Sequence, residues 1–285
     1  MHYLKFRYFI KFMPLTICSI VTALFSQVIN IKEVNQLPDD PRALYLDLMK
    51  KCLANTIYED SSCHPGIPSN YDQKNREYGL DWPSTAHTMI GMKRLDNLQY
   101  CVESILNENI PGDLIETGVW RGGATILMRA ILKAYNNTER RVWVADSFGG
   151  LPPVNTVKYP ADAGWNLNKY SQLNVSLTQV KNNFFKYGLL DNQVVFLKGL
   201  FSRTLPKAPI TTIAVLRLDG DLYESTMDAL INLYPKLSEG GYIIIDDYFA
   251  VPPSAQAVTD YRNTNNITDP IINIDDSGVF WRKSL

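Results

Sequence analysis

Cysteine and histidine are scarce in this 285-residue sequence. The three histidines belong to no Ser/His/Asp set with a suitable spacing, so hydrolase chemistry of that kind is not supported. The cysteines are scattered, without the C-x-x-C spacing that binds zinc or forms a redox dithiol. They are Cys18, Cys52, Cys63 and Cys101.

An excess of charge of one sign is also missing. The 28 basic and 29 acidic residues leave a net charge of -1 at pH 7. No positive potential is therefore available to hold a nucleic-acid backbone or an anionic lipid surface, and nucleic acid is disfavoured as a partner. With 46% hydrophobic residues the chain is long enough to bury one large core, and we expect one main domain.

The first 30 residues contain no apolar run long enough for a clear membrane span. Lys5, Arg7 and Lys11 precede an apolar stretch at 15–29, which is the layout of a secretory signal, but no A-x-A cleavage site follows. We treat residues 1–30 as an N-terminal extension and leave open a signal, an anchor or a translation start at Met13. We expect a cytoplasmic protein, with export or membrane anchoring through residues 1–30 as the alternative.

Residues 31–110 are predicted to form a helical and lid segment. Apolar residues recur at helical spacing over 44–57, with Pro41 in the opening turn, and again over 88–107. Between them, residues 60–84 have the proline, glycine and asparagine content of a loop, which suits a lid or a substrate-facing segment.

After residue 110 the pattern changes to short apolar runs separated by helix-length spacers. This alternation predicts an α/β fold with a mostly parallel sheet covered on both faces. The last two runs are so close that they predict an antiparallel hairpin. The seven predicted strands are 113–117, 141–146, 194–197, 213–218, 242–245, 271–274 and 278–282. Residues 111–285 are therefore the predicted core domain.

The stretch 116–123, which reads ETGVWRGG, directly follows a predicted strand and precedes a helix. Glycine there lets the backbone turn sharply and approach a ligand at the carboxyl end of the sheet. A dinucleotide fold needs G-x-G-x-x-G, which this stretch lacks, and Glu116 would repel a diphosphate. The same carboxylate can pair with a cationic amino group, as the methionine part of S-adenosylmethionine requires. An ordinary strand-turn-helix connection is the alternative.

Asp146 ends the second predicted strand, where a carboxylate can accept hydrogen bonds from both hydroxyls of a ribose. A helix-capping or loop aspartate is the alternative. The turn at 147–153 is placed to border the adenosine. The residues predicted to bind the cofactor are Glu116, Thr117, Gly118, Gly122, Asp146, Ser147 and Ser202.

Acidic residues follow two strands that we expect to be neighbours: Asp219 and Asp221 follow the fourth strand, and Asp246 and Asp247 the fifth. Neighbouring strands lie about 4.8 Å apart, so these acids should repel one another unless a cation neutralises them. Mg²⁺, which prefers oxygen ligands, does this. We predict Asp219, Asp246 and Asp247 as metal ligands, with solvated loop acids as the alternative. We predict Asp221 to cap the next helix in a capping box with Glu224.

His87 precedes the second predicted helix and is a weak candidate for a base near the substrate. A histidine that only occupies the capping region of that helix is the alternative we favour. Asp219 is predicted to act in catalysis through the metal, and the general base stays unassigned.

Residues 43–283 resemble the macrocin O-methyltransferase (TylF-like) family, whose members methylate sugar hydroxyls of macrolide antibiotics and related glycosides. An ordered set of segments carries the resemblance and is more specific than any one motif. The segments are 44–48, 91–98, 116–123, 146–152, 218–226 and 240–248.

The resemblance implies a Rossmann-like class I methyltransferase fold, S-adenosylmethionine as cofactor, and Mg²⁺ held by Asp219, Asp246 and Asp247. It implies methyl transfer to a hydroxyl of a small molecule, such as a sugar of a glycosylated natural product or glycan. It also implies homo-oligomers, which family members often form. Catechol methyltransferases, more distantly similar, place a lysine base three residues after the first metal acid, where this sequence has Leu222.

Two other functions remain open at the level of the sequence. An NAD-dependent sugar oxidoreductase is the second candidate, although the glycine spacing argues against it. A non-catalytic protein that binds S-adenosylmethionine is the third, and the intact set of acids disfavours it.

Overall fold

The computed structural model describes residues 40–284. The chain divides into two units, Met1–Leu44 and Tyr45–Leu285, and only residues 40–44 of the first are described. The predicted extension at 1–30 lies outside the described residues. None of the helices within residues 40–284 is long and apolar enough to cross a membrane.

The described residues form a seven-stranded sheet in the order β3-β2-β1-β4-β5-β7-β6. Strands β1 to β5 are parallel, whereas β7 runs antiparallel to both β5 and β6. The predicted α/β fold, with its mostly parallel sheet and C-terminal hairpin, is confirmed. The strands are β1 (Asp113–Thr117), β2 (Val142–Asp146), β3 (Val194–Lys198), β4 (Ile213–Leu218), β5 (Leu237–Ile245), β6 (Ile272–Asn273) and β7 (Val279–Arg282).

Helices precede and connect the strands. They are α1 (Pro41–Ala54), α2 (Gln73–Tyr78), α3 (Met92–Asn107), α4 (Gly123–Ala134), α5 (Leu177–Lys186), α6 (Phe201–Thr204), α7 (Tyr223–Leu233) and α8 (Pro252–Thr264). Short 3₁₀ turns add Pro160–Asp162, Leu167–Lys169, Ser171–Leu173, Leu205–Lys207 and Tyr234–Lys236.

Several boundaries differ from those predicted. Helix α1 spans Pro41–Ala54 rather than 44–57, and strand β5 begins at Leu237 rather than at residue 242. Helix α2 lies inside the predicted loop at 60–84, because Asp72 caps its first turn and Gly79 ends it in the left-handed conformation. Helix α3 begins at Met92 rather than at residue 88. A side chain at Gly91, the residue before it, would lie 2.2 Å from the carbonyl oxygen of Glu77, so the chain enters α3 against the end of α2.

The sheet is buried on both faces, as the continuous apolar strands predict. Leu114 of β1 belongs to one hydrophobic core and Ile115 to the other, because successive strand residues point to opposite faces. Helices α3, α4 and α5 pack against the first core, and α7 and α8 against the second. This packing leaves the carboxyl ends of the parallel strands open to a cavity.

Candidate active site

A cavity of about 610 Å³ lies at the carboxyl ends of β1, β2, β4 and β5. In the register of the sheet, Thr117 of β1 pairs with Leu218 of β4, which pairs with Ile245 of β5. The loops that follow these strands therefore start side by side. Two other segments also line the cavity: residues 60–84, here called the lid segment, and residues 154–175, here called the insert.

The glycine turn at 116–123 packs directly on the loop after β4. Gly118 has a φ of +85°, and a Cβ there would lie 1.7 Å from the carbonyl oxygen of Asp219. No other amino acid fits this position without displacing one of the two loops. Five of the predicted cofactor residues line the cavity: Glu116, Gly118, Asp146, Ser147 and Ser202. Thr117 and Gly122 are not among its lining residues.

Glu116 is 2% exposed, and Arg217 donates a hydrogen bond to one of its carboxylate oxygens. The other oxygen, Oε2, is buried and has no hydrogen-bond partner among the described residues. The pKa of Glu116 is raised to about 8, mainly by burial; Arg217 opposes the rise, and Asp219 and Asp246 add to it. A cationic amino group at Oε2 would satisfy this oxygen and favour the charged carboxylate, as the amino group of S-adenosylmethionine requires.

Asp146 organises the cofactor side of the cavity. Its Oδ2 accepts a hydrogen bond from the Val119 amide at 2.8 Å, and its Oδ1 accepts one from the Phe148 amide at 2.7 Å. Burial nevertheless raises the pKa of this carboxyl. Each carboxylate oxygen has a second lone pair, so the side chain can hold both turns and still accept from a ribose hydroxyl.

Asp219, Asp246 and Asp247 converge as the strand order requires. Each offers one carboxylate oxygen, and these three oxygens lie within 4.8 Å of one another. Asp247 has a buried Oδ2 without a hydrogen-bond partner among the described residues. Burial raises the pKa of Asp247 well above its usual range, and Asp221, Asp219 and Asp246 add to the rise. A divalent cation bound by these oxygens would remove that repulsion, so the residues present fit a hard metal ion.

Two buried arginines, neither of which was predicted from the sequence, hold the acids in place. Arg217 on β4 donates to Glu116, Asp219 and Asp246. Arg94 on α3 donates to the second oxygen of Asp246. Arg217 is the one charged residue within the otherwise apolar strand β4. A charge in a buried strand needs a partner of opposite charge, so the sequence itself indicated that Arg217 contacts buried acids. Arg94 carried no such signal because its partners are remote in the sequence.

The predicted cap at Asp221 is wrong. Helix α7 begins at Tyr223, its N-cap is Leu222, and Asp221 has a φ of +61°, outside the helix. Asp221 lines the cavity, and its carboxylate has no hydrogen bond or ion pair with another described residue. Burial raises its pKa to about 8, and Asp219, Asp246 and Asp146 contribute to the rise. The acid that caps α7 comes instead from the insert.

The structure does not bring His87 into the cavity. Its Nδ1 lies 2.8 Å from the hydroxyl of Tyr187, and the ring is absent from the cavity lining. It also does not occupy the capping region of α3, which begins five residues later. His64 of the lid segment does line the cavity, in edge contact with Trp82, which in turn contacts Tyr170 of the insert. Only the fold brings these three rings together.

Comparison with known proteins identifies the family of this chain. The family model described as macrocin-O-methyltransferase (TylF) matches residues 65–283. The chain belongs to this family. An S-adenosylmethionine-dependent O-methyltransferase activity follows, and the two other functions left open by the sequence, an NAD-dependent oxidoreductase and a non-catalytic binding protein, are set aside.

Relatives in the TylF family are similar over nearly their whole length. A Streptomyces olivaceus enzyme, named 8-demethyl-8-(2,3-dimethoxy-alpha-L-rhamnosyl)-tetracenomycin-C 4'-O-methyltransferase, is 56% identical over 248 residues, 86% of this chain and 95% of that enzyme. The mycinamicin III 3''-O-methyltransferase of Micromonospora griseorubida is 52% identical over 246 residues, 85% of this chain and 96% of that enzyme. The solved structure of the O-methyltransferase NovP matches with a TM-score of 0.82 and 54% identity, covering 86% of this chain and all (100%) of that one.

Proposed function

We propose that this TylF-family enzyme methylates a hydroxyl group on the sugar of a glycosylated small molecule, with help from a divalent cation such as Mg²⁺. The observation that carries the proposal is the convergence of Asp219, Asp246 and Asp247 beside the glycine turn in one cavity. The sugar is proposed from the relatives, one named for a rhamnosyl compound. The proposed acceptor is a small molecule, so the proposal requires no positively charged surface that binds nucleic acid.

The cofactor residues position the methyl donor. We assign Glu116 Oε2, the buried oxygen without a partner, to the amino group of S-adenosylmethionine, and Asp146 to its ribose. Gly118 lets the glycine turn pack on the loop after β4, because a Cβ there would lie 1.7 Å from the Asp219 carbonyl oxygen. Holding the donor and the acceptor in line supplies about 7–11 kcal/mol of the barrier reduction in well-oriented reactions.

Asp219, Asp246 and Asp247 would hold the cation, which when bound supplies a positive charge that orients the acceptor hydroxyl and lowers its pKa. Arg217 and Arg94 keep Asp246 in place through its two carboxylate oxygens. Arg217 also donates to Asp219, with 2.8 Å between the guanidinium nitrogen and the carboxylate oxygen. One guanidinium therefore sets the spacing between Asp219 and Asp246.

Asp221 is the residue we assign as the proton acceptor. Its carboxylate lines the cavity beside Asp219 and has no competing hydrogen bond from the described residues. In the proposed reaction the bond between sulfur and the methyl carbon breaks as the bond between that carbon and the acceptor oxygen forms. The hydroxyl proton passes to Asp221, and S-adenosylhomocysteine leaves. His87 is not part of this scheme.

The proposal is tested by incubating the protein with S-adenosylmethionine and a panel of glycosides that carry free sugar hydroxyls, including the rhamnoside acceptor named for the Streptomyces olivaceus relative. We expect methylation of a sugar hydroxyl, detected by mass spectrometry and located by NMR. Methylation that occurs only on aglycone hydroxyls or on non-glycosylated compounds would contradict the sugar assignment.

The metal is tested separately with Asp247→Asn, because Asp247 is the metal acid with a buried oxygen that lacks a partner. We expect loss of Mg²⁺ binding in calorimetry and a fall in turnover of about 100-fold, with affinity for S-adenosylmethionine retained. Asp276→Asn, at an exposed acid of the hairpin turn, is the matched control. Full turnover after treatment with a chelator would refute the metal role.

A further inference from the structure

Helix α7 starts immediately after the loop that carries Asp219 and Asp221. The first amides of a helix have no partner within the helix and need an external acceptor. The local sequence offers one, because Asp221 followed by Glu224 has the spacing of a capping box. A chain that followed this local preference would turn Asp221 toward the amides of Tyr223 and Glu224, away from the cavity.

The structure satisfies these amides from a distant segment. Asp162 of the insert accepts from the Tyr223 amide through Oδ1 at 2.7 Å and from the Glu224 amide through Oδ2 at 3.2 Å. Asp162 is completely buried at 0% exposure. Its backbone is fixed by hydrogen bonds to Tyr159 and Trp165. Both carboxylate oxygens are therefore committed to the start of α7.

This arrangement has a consequence for Asp221. Because Asp162 occupies the cap, the Asp221 carboxylate is not needed by the helix, and its backbone adopts a φ of +61° that places the residue in the cavity lining. A non-glycine residue in this conformation persists only when its surroundings hold it there. The Leu222 amide donates to the Gly220 carbonyl at 2.7 Å and closes a tight turn around Asp221, and the cap from Asp162 leaves that turn undisturbed.

We propose that Asp162 is a positioning residue for methyl transfer: by capping α7 in place of Asp221, it keeps the Asp221 carboxylate in the cavity. The proposal rests on the role given to Asp221 in the proposed function. It also links two parts of the site, because the insert that carries Asp162 lines the cavity through Trp165, Leu167 and Tyr170. The insert therefore packs against the start of α7 and holds the Asp221 carboxylate in the cavity through the same contact.

The test starts with Asp162→Ala. We expect kcat to fall about 100-fold, the effect of a small displacement of a reacting group, with affinity for S-adenosylmethionine unchanged. Asp162→Asn retains one acceptor oxygen, and we expect a smaller loss of about tenfold. Asp260→Asn is the matched control, because Asp260 accepts from the hydroxyl of Tyr223 at 3.1 Å and so contacts the same residue without capping the helix. We expect it to keep the kcat of the wild type.

A double variant separates positioning from a loss of folding. If Asp162 acts through Asp221, then Asp162→Ala adds no further loss of kcat to Asp221→Ala, because the group that it positions is already gone. A multiplicative loss in the double variant would overturn the proposal. So would a kcat for Asp162→Ala equal to that of Asp260→Asn.

A second measurement needs no acceptor. In Asp162→Ala we expect Asp221 to take over the cap, so hydrogen exchange at the Glu224 amide stays slow, whereas in Asp162→Ala with Asp221→Ala it becomes at least tenfold faster. Equally fast exchange in both variants would show that Asp221 never competes for the cap and would overturn the proposal. If the wild type methylates no glycoside, the acceptor assignment fails, and the exchange comparison still decides the role of Asp162.

Discussion

The imidazole of His87 contacts the phenol of Tyr187, with 2.8 Å between Nδ1 and the hydroxyl oxygen. The pKa of His87 is lowered to about 4, mainly by burial and also by the nearby positive charges of Lys186 and Arg121. The Tyr187 hydroxyl can either donate to the neutral ring or accept from it, so this contact forms without a charge on His87. His87 therefore packs against Tyr187 next to the lid segment, and it has to stay uncharged in the folded chain.

This residue gives a pH prediction. The unfolded chain protonates His87 near its ordinary pKa of 6.5, but the folded chain does so only near 4, so stability is lost as pH falls from 6.5 toward 4. Between pH 7 and pH 5 we expect His87 to account for a loss of about 1–2 kcal/mol in the free energy of unfolding, allowing for its partial exposure.

The measurement is chemical denaturation of the wild type and of His87→Gln at both pH values. The variant has no imidazole to protonate, so its free energy of unfolding should fall less on acidification, by the amount assigned to His87. Equal pH dependence in the two proteins would show that protonation of His87 is not linked to folding.

The positions of single residues could be predicted from the sequence when those residues follow the end of a predicted strand. Asp219, Asp246 and Asp247 each directly follow a strand, so the order of the strands was enough to bring them together. Asp221 was misassigned because local spacing favours a cap, and the competing acceptor, Asp162, lies 61 positions away from Tyr223. A non-local hydrogen bond of this kind leaves no periodic pattern in the sequence.

At the scale of elements, the site depends on the close contact between the loops that follow β1 and β4. The Asp219 amide donates to the Thr117 carbonyl at 2.9 Å, which continues the pairing of the two strands into their loops. The absent side chain of Gly118 makes this contact sterically feasible. The glycine turn and Asp219, the first of the three acids proposed to bind a metal, are therefore held at one fixed spacing.

Gly118→Ala tests this spacing. A Cβ would lie 1.7 Å from the Asp219 carbonyl oxygen, at a φ of +85° that alanine disfavours, so the two loops must separate. We expect affinity for S-adenosylmethionine and affinity for Mg²⁺ to fall together, each by at least about tenfold, which corresponds to about 1.4 kcal/mol. Both are measured by calorimetry on the folded variant.

Gly149→Ala is the control for that experiment, because a Cβ at Gly149 meets no atom within 4 Å. It should bind both ligands as the wild type does. Loss of S-adenosylmethionine affinity alone in Gly118→Ala would mean that the two loops move independently, contrary to the shared spacing.

Elements with a strong apolar period were predicted well, and those determined by contacts between segments were not. Strand β4 was predicted with its observed bounds because all six of its residues are buried. Helix α2 has a polar sequence, QKNREY, with no apolar stripe to reveal it, and it forms because its Asp72 cap and buried Arg76 stabilise it. Arg76 binds Asp60 and Asp81, two acids on either side of the helix in sequence.

At the scale of the whole molecule, arginines connect the lid segment to the rest of the site. Arg121 of the glycine turn donates to the carbonyl oxygens of Pro83 at 3.0 Å and Ala86 at 2.7 Å. Arg94 donates to the Gly79 carbonyl at 3.0 Å. The lid segment is thereby bound both to the cofactor side and to the acid side of the cavity.

Arg94 joins the most distant parts of the chain. Besides Gly79 and Asp246, it binds Asp275 in the turn between β6 and β7, with 3.0 Å between Nε and Oδ2. Its side chain is 5% exposed, so no water replaces a lost partner easily. Lysine at this position would keep the charge, but a single ammonium group has neither the reach nor the planar geometry to bond all three segments.

We therefore expect Arg94→Lys to lower the free energy of unfolding by about 2–4 kcal/mol, measured by denaturant titration. Arg129→Lys is the matched control, because Arg129 is also a buried arginine but pairs with a single aspartate, Asp191, whose side chain is 34% exposed. Its loss should stay near 1 kcal/mol, since a partly exposed pair contributes little. Similar losses in the two variants would show that bridging by Arg94 adds nothing beyond one ion pair, and that the lid is held by its other contacts.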